Sequence, residues 1–94
     1  MCASVNVNLL NIFRLELKLK QIQYEGNIVG DIIDQFELDY INALPDYLKT
    51  EDKEHLNDNI MVLVNGANIK TLNDRDTELS DGDEIHLSVP IFGG

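Results

Sequence analysis

The chain has one cysteine, two prolines and no tryptophan in 94 residues, and these shortages exclude several classes of protein. Cys2, the single cysteine, cannot form an internal disulfide, and alone it cannot hold a structural zinc ion or an iron–sulfur cluster. No apolar run approaches the roughly 20 residues of a membrane span. The opening MCASVNVNLL lacks the basic region of a secretory signal. We therefore expect a cytoplasmic protein with no membrane partner.

Positive charge is also scarce, since seven lysines and arginines face 17 acidic residues and the net charge is −10. Binding to nucleic acid or to an anionic lipid surface needs cationic groups that displace counterions. The composition therefore predicts no nucleic-acid partner and favours a protein partner with a basic surface. The same charge would also serve simply to keep the protein soluble.

Motifs for catalysis and for metal or phosphate binding are missing as well. There is no Gly-x-Ser-x-Gly turn, no glycine-rich phosphate loop and no His-x-x-x-His pair. His55 and His86 lie far apart in the sequence, and His86 alternates with apolar neighbours, so we expect its side chain to face solvent. We predict no metal site, no bound cofactor and no catalysis by this chain acting alone.

Alternating apolar residues predict two strands near the start of the chain. SVNVNLL places Val5, Val7 and Leu9 on one side, and FRLELKLKQIQYEG repeats the alternation. We predict an antiparallel hairpin with a turn at residues 11–13 and a second strand over residues 13–26. The alternation slips by one near Lys20-Gln21, which predicts a bulge.

The apolar period then changes to that of a helix. NIVGDIIDQFELDYINAL has a helical apolar face that consists of Val29, Ile32, Ile33, Phe36 and Tyr40. Asn27 is the predicted N-cap, and Pro45 limits the helix at Leu44. A short helical turn is predicted at residues 46–49. NIMVLVNG and DEIHLSVPI predict later strands, and ANIKTL is either a short edge strand or part of a turn.

The order of hairpin, helix and further strands predicts an α+β domain that spans residues 1–94. We interpret it as a β-grasp (ubiquitin-like) fold, with a mixed sheet of four to five strands packed on one main helix. In that fold the first and last strands are central and parallel. Residues 90–94 are expected to form a flexible, extended C-terminal tail.

The sequence ends in the uncharged stretch PIFGG. Pro90 cannot donate to a strand ladder and is expected to end the last strand. Gly93 and Gly94 have no Cβ, so they can pass through a channel too narrow for other residues. Ile91 and Phe92 would expose apolar surface unless a partner covered them. A frayed end with no function is the alternative interpretation, but the order of elements favours a tail that has a function.

Several stretches together resemble the ubiquitin-like sulfur carriers, closest to the small subunit of molybdopterin synthase. They are VNG at 64–66, DTELSDGDEIHL at 76–87, PIFGG at 90–94, VNVNLLNIFRLEL at the first strand and IVGDIIDQF in the helix. The resemblance covers nearly the whole chain. Its most specific part is Asp81-Gly82-Asp83 together with Gly93-Gly94. Val89-Pro90-Ile91-Phe92 departs from the Pro-Pro-Val-x pattern that is frequent in the family.

This resemblance implies a mechanism centred on Gly94. An E1-like adenylating enzyme would use ATP to activate the C-terminal carboxylate, and a sulfur donor protein would convert it to a thiocarboxylate. The large catalytic subunit of molybdopterin synthase would then receive the tail, and sulfur would pass to precursor Z to form the molybdopterin dithiolene. Gly93 would allow threading, and Pro90, Ile91 and Phe92 would contact the partner.

Other functions use the same scaffold. Relatives of this kind supply sulfur for the thiamine thiazole, for tungsten cofactor and for other products. A ubiquitin-like modifier would instead join its activated carboxylate to lysines of target proteins. A plain interaction domain with an unreactive tail is the third alternative.

Overall fold

The computed structural model describes residues 2–89, which form a five-stranded mixed sheet with a long helix packed on one face. The regular elements in chain order are β1 (Ala3–Leu9), α1 (Asn11–Leu17), β2 (Gln21–Gly26), α2 (Val29–Tyr40), β3 (Met61–Val64), β4 (Ala67–Asn68) and β5 (Glu84–Ser88). Short 3₁₀ turns occur at Ile41–Ala43, Asp46–Leu48, Ile69–Thr71 and Asp74–Asp76. The predicted tail, residues 90–94, lies outside the described residues.

The strands lie side by side in the order β2-β1-β5-β3-β4. β1 and β5 are parallel, with Val7 opposite Ile85, whereas the other neighbours are antiparallel. The prediction that the first and last strands are parallel neighbours inside the sheet is therefore confirmed. The α+β, β-grasp prediction is confirmed with it, and β5 is the central strand.

One face of the sheet and one face of α2 form the core. The alternating residues of β1 are buried as predicted, and so are Ile85 and Leu87 of β5, because successive side chains of a strand point to opposite faces. On α2 the predicted apolar face is also confirmed. Its buried members are Val29, Ile32, Ile33 and Phe36, and Tyr40 packs beside them.

The segment after β1 is a helix, so the prediction of a strand over residues 13–26 is wrong in its first half. β1 ends at Leu9, and β2 pairs with it only from Gln21 onward, so a strand over residues 13–20 would have no ladder partner. The chain instead forms α1, which buries Phe13 completely and leaves Leu15 73% exposed. The slip in alternation marks the start of β2, and the prediction of a bulge is also wrong.

The limits of α2 differ slightly from the prediction. The helix begins at Val29, one residue later than an Asn27 N-cap requires. The carboxylate of Asp31 accepts hydrogen bonds from the backbone N–H groups of Asn27 and Ile28, at 2.9 and 3.3 Å, and so stabilises this end. A 3₁₀ turn carries the chain from α2 to Leu44, before Pro45, and the predicted turn after Pro45 is confirmed.

Candidate functional site at the end of the last strand

The stretch Asp81-Gly82-Asp83 fixes the point at which β5 starts. Asp81 Oδ1 accepts a hydrogen bond from the backbone N–H of Ser4 at 2.8 Å, and Gly82 N–H donates to Ser4 O at 2.9 Å. Gly82 has φ +86°, a conformation that disfavours residues with a Cβ. The turn is therefore joined to the first residues of β1, which sets the parallel register of β5.

Asp83 joins the same turn to the β3–β4 hairpin. Its Oδ2 accepts from Ser80 N–H at 2.8 Å, and its Oδ1 accepts from Asn65 Nδ2 at 3.0 Å. Asn65 Oδ1 in turn accepts from Glu84 N–H at 2.9 Å. The stretch Asp81-Gly82-Asp83, on which the family resemblance partly rests, thus holds β5 between β1 and β3.

At its other end, β5 leaves the sheet beside the start of α1. Leu10 N–H donates to Leu87 O at 3.0 Å, which continues the parallel ladder by one bond. The side-chain amide of Asn11 donates to Ser88 Oγ at 2.8 Å and to Val89 O at 3.3 Å. Val89 is half-buried against the core. The last described residue is therefore held in place, and it fixes the point from which residues 90–94 follow.

The face of the sheet opposite α2 combines a polar network with a short apolar strip. Asn8 Nδ2 and Asn6 Nδ2 donate to the two carboxylate oxygens of Glu84, at 3.3 and 2.7 Å. On the β3 side, Met61 and Leu63 are half-buried, and register places them opposite Ser88 and His86. His86 belongs to this outer face, in agreement with its predicted orientation.

Most acidic loop residues near β5 lie at the opposite end of the strand from Val89. They precede β5 in the loop between β4 and β5: Asp74, Asp76, Glu78, Asp81 and Asp83. Six residue steps of about 3.3 Å separate Asp83, the last residue of this loop, from Val89 by about 20 Å. An electrostatic partner of the loop would therefore bind away from the chain exit.

One polar pair was missed by the sequence reasoning. His55 Nδ1 lies 3.0 Å from Oε1 of Glu37, and the same carboxylate accepts from Leu56 N–H at 2.7 Å through Oε2. The hydrogen bond and the negative charge of Glu37 raise the pKa of His55 above its usual value of 6.5. The only sign of this pair in the sequence was the helical spacing of Glu37, which places an acidic residue on the buried side of α2.

The predicted site residues Pro90, Ile91, Phe92, Gly93 and Gly94 all lie outside the described residues. The structure does describe the features that hold the strand preceding them. These features are the turn before β5, the central position of β5 and the contact of Asn11 with Val89. Within residues 2–89 no helix has the length and apolar character needed to cross a membrane. This arrangement defines a ubiquitin-like β-grasp protein with its last strand at the sheet centre.

Comparison with known proteins agrees with this class. The model of the ThiS family matches residues 9–94. The chain belongs to the ThiS family, and so to the ubiquitin-like sulfur carriers and modifiers. No match was found among curated protein sequences.

Three solved structures illustrate what the chain is similar to. Small archaeal modifier protein 1 (SAMP1) from Methanosarcina acetivorans is 29% identical, with TM-score 0.83 over 100% of this chain and 99% of that one. A BexX/CysO complex from Amycolatopsis orientalis has a chain that is 29% identical, with TM-score 0.71 over 96% and 99%. A putative molybdopterin converting factor subunit 1 from Pyrococcus furiosus is 22% identical, with TM-score 0.67 over 95% and 99%, and shows the shared fold.

Proposed function

We propose that this protein is a sulfur carrier that serves as the small subunit of molybdopterin synthase. The observation that carries the proposal is the family match over residues 9–94 on a fold whose central strand leads directly into Pro90-Ile91-Phe92-Gly93-Gly94. Because β5 is bonded on both sides, the tail would start from a rigid support. A rigid support lowers the entropy lost when a partner takes up the tail.

The chemistry takes place at Gly94. An E1-like adenylating enzyme would bind ATP, and the Gly94 carboxylate would attack the α-phosphorus and release pyrophosphate. A hydrosulfide equivalent from a sulfur donor protein would displace AMP from the acyl-adenylate and leave a thiocarboxylate. The large catalytic subunit would then direct two sulfur atoms to precursor Z to form the dithiolene, one from each of two thiocarboxylates, and water would return each carrier to its Gly94 carboxylate. Gly93 offers no side chain that would obstruct these attacks.

The outer sheet face is the surface we assign to partner docking. It adjoins the chain exit at Ser88, and the half-buried Met61 and Leu63 lie beside it. Charge at this apolar strip would be costly to bury in a complex. Leu63→Lys should therefore weaken binding to the adenylating enzyme by at least tenfold, and Leu38→Lys, on the exposed side of α2 and so away from this sheet face, should not. Equal binding by both variants would contradict the assignment.

The test of the sulfur-carrier function is the mass of the protein purified from its native host. A fraction of the chains should show replacement of one oxygen by sulfur, and this species should disappear in Gly94→Ala. Molybdoenzyme activity in the host should be lost with the same variant and retained with Leu15→Ala. Intact molybdoenzyme activity with Gly94→Ala would rule out the proposed pathway.

A second function, covalent protein modification, is supported by the similarity to small archaeal modifier protein 1. In this reaction a lysine amine of a target protein would attack the adenylate or a derived thioester and form an isopeptide bond at Gly94. Target peptides would then carry a remnant of the tail on lysine. Finding such remnants, with loss on Gly94→Ala, would support this second function, and their absence from the host proteome would count against it.

A further inference from the structure

An apolar cleft of about 270 Å³ lies at the end of β5 from which the tail follows. Its apolar wall consists of Ile12, Tyr47, Leu48, Ile60 and Val89, and its polar lining is Asn57 and Asn59. Among the described residues, none in this lining is charged, although the chain carries a net charge of −10. By comparison, the two clefts beside α2 are lined in part by Glu37 and by lysine or arginine side chains.

The cleft and the tail are continuous along the chain. Val89 forms part of the wall, and Pro90 is the next residue. The antiparallel register places Ser88 opposite Met61. Ile60 comes just before Met61 and Val89 just after Ser88, so both border the same opening. Phe92 is three residues beyond Val89 and can lie at most about 10 Å from it. The tail is therefore long enough to place the Phe92 ring over the cleft, and its restricted length keeps the ring near it.

The tail and the cleft are also alike in lacking charged side chains. Residues 87–94 contain no charged side chain, so no charge would be buried with the tail, and the terminal carboxylate lies two residues beyond Phe92. Tyr47 is 63% exposed at the edge of the cleft, and the ring of Phe92 can pack on it while covering Ile12 and Ile60. Without such a contact, most of the Tyr47 side chain stays in water.

We infer that the side chain of Phe92 occupies this cleft in the isolated protein and holds Gly93-Gly94 beside the domain. A partner that takes up the tail must first displace Phe92 from the cleft. The contact itself needs no partner and no ATP. Only its consequence, that docking releases the tail for activation, rests on the proposed function.

The contact is tested by NMR on the full-length isolated protein with labelled isoleucine, leucine and valine methyl groups. Nuclear Overhauser effects are expected between the Phe92 ring protons and the methyl groups of Ile12 and Ile60. Phe92→Ala should shift these methyl resonances, whereas the methyl groups of Ile85, at the start of β5, should not move. Absence of these effects from the Phe92 ring would overturn the inference.

Mixed samples of labelled and unlabelled protein separate contacts within one chain from contacts between two copies. Effects seen only between chains would make a second copy the occupant, and effects seen only after a partner is added would make the partner the occupant. Either result overturns the inference. Tyr47→Ala should weaken the contact without unfolding the protein, and the matched variant Leu38→Ala, which is 84% exposed on α2, should leave it unchanged. Because no sulfur transfer is measured, failure of this test is distinct from failure of the proposed function.

Discussion

Glu37 and His55 form an ion pair in which the two partners have very different environments. The Glu37 side chain is 7% exposed and the His55 side chain 60% exposed, and Nδ1 of His55 lies 3.0 Å from Oε1 of Glu37. The second carboxylate oxygen accepts the hydrogen bond from Leu56 N–H. A buried carboxylate is costly without partners. The pair therefore satisfies Glu37 and at the same time fastens the loop that contains His55 to α2.

This pair predicts a stability that depends on pH. Because Glu37 raises the pKa of His55 in the folded state, the stabilisation is fully present below the unfolded value of 6.5 and is lost as pH rises through the folded pKa. Urea denaturation should show a larger loss of stability for Glu37→Gln at about pH 5.5 than at about pH 9, since only protonated His55 needs the carboxylate charge.

A direct measurement of the same effect is the NMR titration of the His55 imidazole. Its pKa should fall in Glu37→Gln, because the neutral amide no longer favours the charged ring. Asp52 and Glu54, which also raise the pKa of His55, remain in that variant. An unchanged His55 pKa, with equal stability losses at both pH values, would show that the ion pair does not form in solution.

The helical state of residues 11–17 is tested by two neighbouring substitutions. Phe13 is completely buried and packs edge-on against Phe36, with ring centroids 6.1 Å apart. Phe13→Ala should reduce the free energy of unfolding by about 3–5 kcal/mol. Leu15→Ala should change it by less than about 0.5 kcal/mol, since Leu15 is exposed. Urea unfolding of both variants checks this, and a large effect of Leu15→Ala would favour a strand in this segment.

The turn before β5 should depend on a glycine for conformational reasons. Within residues 2–89, and apart from the chain neighbours of Gly82, no atom lies within 4 Å of a Cβ placed on Gly82, so Gly82→Ala creates strain through the positive φ of +86°. We expect Gly82→Ala to cost about 1–2 kcal/mol in thermal or urea unfolding. Gly82→Asn should cost less, because asparagine adopts positive φ more readily. Equal stability of the alanine variant and the wild type would mean that the turn relaxes.

Asn11 is expected to stabilise the end of β5. Its side chain donates to Ser88 Oγ and Val89 O, and its own φ is +52°. Asn11→Gly removes the amide and keeps the backbone conformation accessible, so we expect a loss of about 0.5–1.5 kcal/mol. Asn11→Ala should lose more stability, because alanine at a positive φ adds backbone strain. The two variants are compared by urea unfolding. An alanine variant as stable as the glycine variant would contradict the assigned backbone role.

The sequence-based prediction succeeded where one periodic pattern dominated. The apolar face of α2 and the alternation of β1 and β5 were evident, since burial of a face imposes its own period on the sequence. Between Phe13 and Lys20 two patterns compete. Leu15, Leu17 and Leu19 alternate as in a strand, but Phe13 and Leu17 are also spaced as on a helix. The register of β2 against β1, which pairs Asn8 with Gln21, settled this conflict, and no local pattern contains that register.

The candidate site divides in the same way. The residues Asp81-Gly82-Asp83 and the uncharged ending PIFGG are visible in the sequence, because turn chemistry and lack of charge are local properties. Folding decided which partners those residues have. Ser4 and Asp81 are 77 positions apart, yet they form one hydrogen bond. The cleft at Val89 brings together residues of α1, of the turn after Pro45, of the segment just before β3 and of the residue just after β5.

The sequence by itself therefore determined the elements other than α1, their order, the acidic charge and the apolar character of the tail. Only the tertiary structure decided that residues 11–17 form a helix, that Glu37 holds His55, and that an uncharged cleft lies where the tail begins. Local patterns record which side of an element is buried, whereas contacts between distant segments depend on register and packing of the whole sheet.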